Sequence, residues 1–305
     1  MKAELKEDEL MREKYFDGHI HSRNSDGAFS VSEIIRMVSL QGTHSAIAIT
    51  DHNMFSLRAP LKTGELSVLP GCEFDCSYIS PDQSAHNIHM IGIFFDEVPV
   101  IVEQQLLKDH SEELKEYAKA VIAGLREYGF SISYENVFQE HPESINKPKF
   151  AIADYMVSHE MVHDLREAFT RYVGGEAEQA VNILDYVSYP SLREAQDIVL
   201  SHSGAAVLCH PLSTRYRLTD TELENMIRDF SLWAEGRAAA IEVYYSKHTP
   251  EQVRMLQTLA AKYHLLSSVG SDFHNTNTAF IHGSMDILRD MERRIAEFKA
   301  KKQTT

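Results

Sequence analysis

The sequence predicts an α/β fold in which parallel strands form a barrel that carries a helical insertion. Short apolar runs that resemble buried strands alternate with amphipathic helical patterns in the first and last parts of the chain. Between them, residues 97–187 are polar and helical in pattern. Side chains that commonly bind metals follow most of the apolar runs, and functional groups of barrels cluster at the carboxyl ends of the strands.

Composition limits the class of partner. The 305-residue chain is 43% hydrophobic, enough for a large core in one domain or in a domain with an insertion. Its formal charge of −15, from 30 basic and 45 acidic residues, argues against a broad basic surface that would coat duplex DNA. A small anionic substrate is compatible with this charge, because bound cations can reverse the field inside one pocket.

The cysteines and the amino terminus indicate a reducing compartment. Cys72, Cys76 and Cys209 provide no disulfide framework, and the spacing of the first two matches only half of a zinc site. No apolar run approaches the roughly 20 residues of a membrane span. Residues 1–14 lack the apolar core of a signal peptide. We therefore expect a cytoplasmic protein without a membrane partner.

In the first part of the barrel, each predicted strand carries or precedes a metal-ligating side chain. The pattern Ser30-x-x-Glu33 is a capping box that begins the first helix, and Gly42 ends it. The predicted strands of this part span residues 15–20, 45–50, 67–74 and 86–95. Their alternation with helical patterns predicts a parallel sheet.

The helical block is either a separate domain or a cap inserted into the barrel. Its apolar spacing predicts one long helix ending at Gly129 and one or two shorter helices in residues 149–173. Metal-ligating residues occur on both sides of the block, so both flanks must fold together. We therefore expect a barrel of residues 15–96 and 188–305 that carries residues 97–187 as a cap.

After the insertion, the strand and helix patterns resume. Helix starts are predicted at Ser191-x-x-Glu194, Thr219-x-x-Glu222 and Thr249-Pro250. The predicted strands span residues 205–209, 239–245 and 265–270, and a closing amphipathic helix spans residues 285–299.

Two histidines one residue apart, His19 and His21, lie on the first predicted strand and face the same side. This spacing alone is a weak signal, because packing or solvation explains most such pairs. Later strands add further nitrogen and oxygen ligands: Asp51, His52, Glu73, His89, His210, Asp272 and His274. A ligand set without thiolate suits Zn, Mn or Fe and does not choose among them. Glu73 is the carboxylate best placed to bridge two ions.

Together, these motifs resemble those of the PHP family, the polymerase and histidinol phosphatase superfamily of metal-dependent phosphoesterases. In family order, the chain carries His19-x-His21, Ser25-Asp26-Gly27, Thr50-Asp51-His52, Gly71-x-Glu73, His89-x-x-Gly92, Cys209-His210-Pro211 and Gly270-Ser271-Asp272-Phe273-His274. The resemblance covers residues 17–275 except the helical block. It extends to the stand-alone branch that acts on nucleotides and short oligonucleotides, and it implies a distorted (β/α)7 TIM-like barrel with two or three divalent metal ions.

The resemblance also implies roles for individual residues. The implied metal ligands are, for the first ion, His19, His21, Glu73 and Asp272; for the second, Glu73, His89 and His210; and for the third, Asp26, His52 and His274. The implied catalytic group is Asp51, His52, Glu73 and His210, in which Asp51 handles protons or supports the ligands. A metal-activated water would attack the phosphorus atom of the substrate.

Cations outside the metal cluster are expected to determine the substrate. Relatives carry an arginine-rich stretch where this chain has Lys-Pro-Lys-Phe at residues 147–150, so Lys149 is the candidate contact there. Arg215 and Arg217 follow a ligand strand and either hold a phosphate through paired hydrogen bonds or belong to a solvated loop. His86 and His89 lie on the same predicted strand but point to opposite faces, so His86 is a weaker candidate for metal binding than His89.

Several functions are compatible with these motifs. The first is hydrolysis of phosphate esters of nucleotides or short oligonucleotides. The second is a phosphatase for a small non-nucleotide monoester such as histidinol phosphate, which needs the same core and a different cap. The third is a non-catalytic PHP-type binding module, against which the complete ligand set argues. A metal-dependent amidohydrolase commonly has a metal-bridging lysine at a strand end, and none stands out here. The oligomeric state is left open.

Overall fold

The computed structural model describes residues 14–144, 147–174, 177 and 180–303; residues 1–13, on which the signal-peptide argument rests, lie outside this description. Within it, one sheet contains nine strands: β1 (Tyr15–Ile20), β2 (His44–Ile49), β3 (Leu61–Thr63), β4 (Leu66–Ile79), β5 (Ala85–Phe94), β6 (Gly204–Leu208), β7 (Ala239–Tyr245), β8 (Leu266–Gly270) and β9 (Gly283–Ser284). The order across the sheet is β8-β7-β6-β5-β4-β2-β1-β9, and β3 pairs with β4.

The sheet curls until its two ends nearly meet. Ile20 at the end of β1 forms a parallel bridge with Phe273, which follows β8. The amide of His21 donates to the carbonyl of Phe273 at 2.9 Å. Seven strands therefore surround the core, because β3 and β9 are short additions to β4 and β1. The predicted fold class is confirmed as a mixed α/β fold with a nearly closed, barrel-shaped sheet.

The prediction of a parallel sheet is wrong for one of the seven barrel strands, and the short strands β3 and β9 also pair antiparallel. β5 runs antiparallel to both β4 and β6, because residues 80–84 join β4 to β5 through a turn with no crossover helix. The neighbours β4 and β6 are parallel to each other. The amino-terminal half of β5 therefore lies at the barrel end where β4 and β6 have their carboxyl ends. This reversal brings His89 to that end from the middle of a strand, and Glu73 likewise lies in the middle of the long strand β4.

Ten α-helices are described: α1 (Val31–Gln41), α2 (Val100–Leu106), α3 (Ser111–Glu127), α4 (Tyr134–Glu140), α5 (Pro148–Ser158), α6 (Leu165–Ala168), α7 (Leu192–Ser201), α8 (Asp220–Ala234), α9 (Pro250–Lys262) and α10 (Met285–Gln303). The predicted helix starts are confirmed. Ser30, Thr219 and Thr249 each form the two reciprocal bonds of a capping box, and the Ser191 side chain caps α7.

The segment between the two parts of the barrel is helical, and the long helix predicted to end at Gly129 is present as α3, which ends at Glu127. The apolar spacing also included Leu106, which instead belongs to the separate helix α2. Residues 107–110 separate α2 from α3. The Asp109 carboxylate accepts the amide of Ser111, the first residue of α3, at 3.0 Å.

The two sides of this break pack against different cores. Val102 and Leu106 of α2 belong to the barrel core. Helices α3 to α6 share a second apolar cluster that includes Tyr117, Ile152 and Met156. Among the described residues, none of the helices combines the length and the apolar composition needed to cross a bilayer.

Candidate active site

One end of the barrel brings together every residue predicted to bind metal. His19 and His21 lie on either side of Ile20, the last residue of β1. The other residues gathered there are Asp26, His52, Glu73, His89, His210, Asp272 and His274. Close approach at this end requires Gly270, since a Cβ at that position would lie 2.3 Å from the Cβ of His19.

Glu73 is at the centre of this cluster, and its side chain is 1% exposed. The Oε2 atom lies 3.1–3.3 Å from a ring nitrogen of each of three histidines: His19, His21 and His52. The Oε1 atom lies 2.6 Å from Nδ1 of His89 and 2.8 Å from Nε2 of His210. One buried carboxylate therefore faces five imidazole rings, a geometry suited to bridging cations.

Two four-residue groups have ligand atoms that all lie within 4.8 Å of one another. The first contains His19, His21, Glu73 and Asp272. The second contains His21, Asp26, His52 and His274. The first group has the same members as the first implied ligand set, and the second adds His21 to the third implied set.

The second implied set is arranged more loosely. His89 and His210 each contact Glu73, but their ligand atoms fall into different groups. The Nη2 atom of Arg215 lies between them, 2.9 Å from Nδ1 of His89 and 3.0 Å from Nε2 of His210. A cationic side chain thus reaches directly into this part of the cluster.

Glu242, which the sequence reasoning missed, orients two of the ligands. Its Oε1 atom lies 3.0 Å from Nδ1 of His19, and its Oε2 atom accepts the amide of His210 at 2.7 Å. The contact at Nδ1 leaves Nε2 of His19 facing Glu73, which is the usual support for a metal-binding imidazole. Glu242 is the single charged residue in the apolar strand β7, and that isolation was a usable signal in the sequence.

Asp75 and Tyr216 also fix ligand rings and were also missed. Asp75 Oδ1 lies 3.1 Å from Nε2 of His89, and the Tyr216 hydroxyl lies 2.8 Å from Nδ1 of His210. Each contact involves the ring nitrogen opposite the one that faces Glu73. Both rings are therefore held with one nitrogen directed into the cluster.

Asp51 lies beside the cluster and supports it. Its carboxylate accepts the Ser22 amide at 2.7 Å and the Ser22 hydroxyl at 2.6 Å, and it also accepts the hydroxyls of Ser25 and Ser56. These bonds hold the turn that carries Asp26. Because both carboxylate oxygens are engaged, the geometry favours a supporting role for Asp51 over proton transfer.

The buried charges shift the histidine pKa values in opposite directions. Burial lowers the pKa of His52 to about 4 and that of His210 to about 3. Burial also disfavours charge on His21, but Asp272 and Glu73 outweigh it and raise the pKa of His21 to about 10. Burial raises the pKa of Glu73, yet the surrounding histidines hold it well below its usual range. His52 and His210 are thus neutral at pH 7, as metal binding requires, whereas an ion that binds His21 must displace a proton from it.

The donor chemistry fits more than one divalent ion. Imidazole nitrogens and carboxylate oxygens suit Zn, Mn or Fe. Cys209 lies 3.4 Å from Glu73, and burial raises the pKa of its thiol, so the thiol is protonated while no ion is bound. Within the described part of the chain, the buried Nδ1 of His52 lies 3.3 Å from Glu73 Oε2 without forming a hydrogen bond. A buried polar atom without a partner is costly, and a bound cation would satisfy it.

The three predicted substrate cations lie on the side of the cluster that faces the insertion. Arg217 donates to the carbonyl of Ala177 at 2.8 Å. Lys149 is half-buried, and its Nζ atom lies 5.6 Å from the centre of the Tyr117 ring. Burial, followed by the charge of Arg215, lowers the pKa of Lys149 to about 8. The insertion and the barrel therefore both contribute positive charge to the side of the barrel end that carries the predicted metal ligands.

No family model matches the chain. A 3′,5′-nucleoside bisphosphate phosphatase of Chromobacterium violaceum is 28% identical over 266 residues, which cover 85% of this chain and 86% of that protein. A 5′-3′ exoribonuclease of Haemophilus influenzae is 27% identical over 267 residues, covering 86% of this chain and 90% of that protein.

Two solved structures share the fold. An amidohydrolase from Chromobacterium violaceum with bound sulfate has a TM-score of 0.69 at 25% identity, covering 92% of this chain and 96% of that one. A candidate metal-dependent phosphoesterase from Bifidobacterium adolescentis has a TM-score of 0.67 at 22% identity, with the same 92% and 96% coverage. The chain is therefore similar over most of its length to a named phosphatase and a named exoribonuclease, and it shares the fold of both solved structures.

Proposed function

We propose that this chain hydrolyses phosphate esters of nucleotides or short oligonucleotides with two or three divalent metal ions. The observation that carries the proposal is the buried carboxylate of Glu73, whose two oxygens face five histidine rings. The relatives described above are named as a nucleoside bisphosphate phosphatase and an exoribonuclease, which supports the same substrate class here.

The two compact groups are the proposed metal sites. One ion would be held by His19, His21, Glu73 and Asp272, and another by Asp26, His52 and His274. Ions bound there would polarise the phosphoryl oxygens and activate a water at neutral pH. An ion at the third proposed position, among Glu73, His89 and His210, requires the Arg215 guanidinium to move aside, since its Nη2 atom lies between the two histidines.

The chain itself positions these groups. Glu242, Asp75 and Tyr216 hold the ligand rings, and Asp51 holds the turn that bears Asp26. Such contacts limit the reorganisation needed when the reaction begins. Arg215 is close enough to the cluster to meet an oxygen of the reacting phosphoryl group.

Cations at the border with the insertion are the proposed basis of substrate choice. A bisphosphate or an oligonucleotide presents a second phosphate several ångströms from the reacting one. The net charge of −15 repels such a polyanion elsewhere on the surface, so a local cation has a large effect. Burial lowers the pKa of Lys149, and Arg215 and Arg217 lie close enough for their charges to lower it further. Lys149 and Arg217 are the proposed contacts for this second phosphate.

A cytoplasmic location is also proposed. Cys72, Cys76 and Cys209 are buried free thiols. Unpaired cysteines suit a reducing compartment.

The test is a substrate panel on protein reconstituted separately with Mn, Fe and Zn. The panel contains nucleoside monophosphates, a nucleoside 3′,5′-bisphosphate, short RNA, histidinol phosphate, an activated aryl phosphate and an amide. We expect the highest kcat/KM for the bisphosphate or the RNA. The highest value for histidinol phosphate would instead support a small-monoester phosphatase. Metal binding without hydrolysis of any ester would support a binding module.

A further inference from the structure

We propose that His86 is a positioning residue that fixes the loop carrying Arg215 and Arg217, and so strengthens the preference for substrates with a second phosphate. The inference rests on the proposed function, because it assumes that these arginines bind substrate. His86 lies in β5, three residues before His89, and is 8% exposed. Its place on the strand face opposite His89 leaves it available for a role outside the metal cluster.

His86 connects three separate parts of the chain. Its Nδ1 atom donates to the carbonyl oxygen of Tyr216 at 2.9 Å. Its Nε2 atom lies 3.4 Å from the Ser80 hydroxyl and 3.3 Å from the Glu222 carboxylate. Glu222 is itself held, because it forms the capping box of α8 with Thr219. The imidazole is therefore fixed on one side and restrains the loop on the other.

The bond to the Tyr216 carbonyl restrains the peptide unit that joins Tyr216 to Arg217. Arg217 has a φ of +52°, in the left-handed region that is unfavourable for a residue with a Cβ. A backbone in that region persists only where surrounding contacts hold it. The orientation of this peptide determines where the Arg217 side chain starts, and Arg215 lies in the same turn, Thr214–Tyr216.

The Tyr216 side chain restrains the loop at a different point. Its hydroxyl lies 2.8 Å from Nδ1 of His210 and accepts the amide of His89 at 3.1 Å. These two contacts hold the ring of Tyr216. Rotation about the bonds between the ring and the backbone would still let the peptide that joins Tyr216 to Arg217 change its orientation. The contact with His86 holds the carbonyl side of this peptide, while its N–H, that of Arg217, donates to the Thr214 carbonyl at 3.1 Å. A loop that is ordered before substrate arrives loses less entropy on binding, which lowers KM.

Two substitutions test the contacts of the two ring nitrogens of His86 separately. An Asn amide nitrogen can replace Nδ1, so His86→Asn keeps a donor for the Tyr216 carbonyl. A Gln amide nitrogen replaces Nε2, so His86→Gln keeps the contact with Glu222 and loses the bond to the loop. His163→Gln is the matched control, since His163 is exposed in the insertion. Arg217→Ala measures the effect of removing the substrate cation itself.

The readout is the ratio of kcat/KM for a nucleoside 3′,5′-bisphosphate to that for the corresponding 5′-monophosphate. We expect His86→Gln to lower this ratio about fivefold, the effect of losing one hydrogen bond, and mainly through KM of the bisphosphate. His86→Asn and His163→Gln should stay near the parent ratio. Amide hydrogen exchange of residues 214–218 should be faster in His86→Gln than in His86→Asn, at equal Tm.

The outcomes separate this inference from the proposed function. If Arg217→Ala lowers the ratio while His86→Gln leaves both the ratio and the exchange rates unchanged, the role of His86 is wrong and the proposed function stands. If Arg217→Ala leaves the ratio unchanged, the second-phosphate contact is wrong and the inference is overturned with it. An equal fall in the kcat/KM ratio in His86→Asn and His86→Gln would also overturn the inference, because only His86→Gln removes the bond to Tyr216.

Discussion

The Glu242 carboxylate lies 3.0 Å from Nδ1 of His19, and both side chains are buried inside the barrel. The same carboxylate accepts the backbone amide of His210. One residue of β7 thus sets the ring orientation of one ligand and the backbone position of another. A carboxylate in this position also increases the basicity of the imidazole that it orients.

Glu242→Gln should weaken metal binding while preserving the fold. The amide keeps the shape of the side chain but loses its negative charge, so His19 becomes a poorer ligand. We expect a loss of about 10- to 100-fold in metal affinity or turnover. Metal content after dialysis and kcat measure this loss. The control is Glu224→Gln, which removes an exposed carboxylate paired with Lys262; equal metal content in the two variants would contradict the role of Glu242.

Glu73→Gln should remove at least one equivalent of metal and nearly all hydrolysis. The substitution removes the negative charge of the carboxylate, whose two oxygens face five histidine rings. Elemental analysis of the purified protein and turnover of an activated aryl phosphate measure the effect. Normal metal content with normal turnover would exclude Glu73 from the metal site.

Binding of a doubly phosphorylated substrate should weaken above about pH 8. The pKa of Lys149 is lowered to about 8 by burial, so the amino group is charged below this pH and neutral above it. Between pH 7 and pH 9, KM for a bisphosphate should rise by up to about tenfold relative to KM for a monoester. Comparing the two substrates cancels effects of pH on the metal cluster.

Lys149→Arg provides the control for this pH dependence. An arginine stays charged throughout this range, so the relative rise in KM should disappear. Lys108→Arg, outside the cluster, should keep the parent profile. A parent profile in Lys149→Arg would exclude Lys149 as the titrating cation.

Removing the insertion should change which substrates are hydrolysed more than it changes the hydrolysis of the ester bond itself. We propose that residues 97–187 cover the metal site, as the contact of Arg217 with Ala177 and the position of Lys149 suggest. Because Val102 and Leu106 pack in the barrel core, the deletion should begin after α2 and replace residues 108–187 by a short linker. Turnover of an activated aryl phosphate should persist, and turnover of nucleotides should be lost. Unchanged nucleotide turnover would place the insertion away from the substrate.

The order of motifs along the sequence was sufficient to predict the barrel class and the set of residues that gather at one end of the barrel. Short-range patterns such as His19-x-His21 and Ser30-x-x-Glu33 depend on strand and helix periodicity, which neighbouring residues determine. The break between α2 and α3 was missed, because the apolar spacing continues across residues 107–110, where the helix is interrupted.

Contacts between distant parts of the chain were decided only by the tertiary structure. The sequence by itself determined which residues have metal-binding chemistry and which strands carry them, because both follow from residue type and local pattern. Only the folded chain placed Glu242 against His19, 223 residues away, and His86 against Tyr216, 130 residues away. The reversed direction of β5 decided where His89 lies, because the direction of β5 depends on how it pairs with β4 and β6. Such pairings result from closure of the whole sheet, and a local pattern does not contain them.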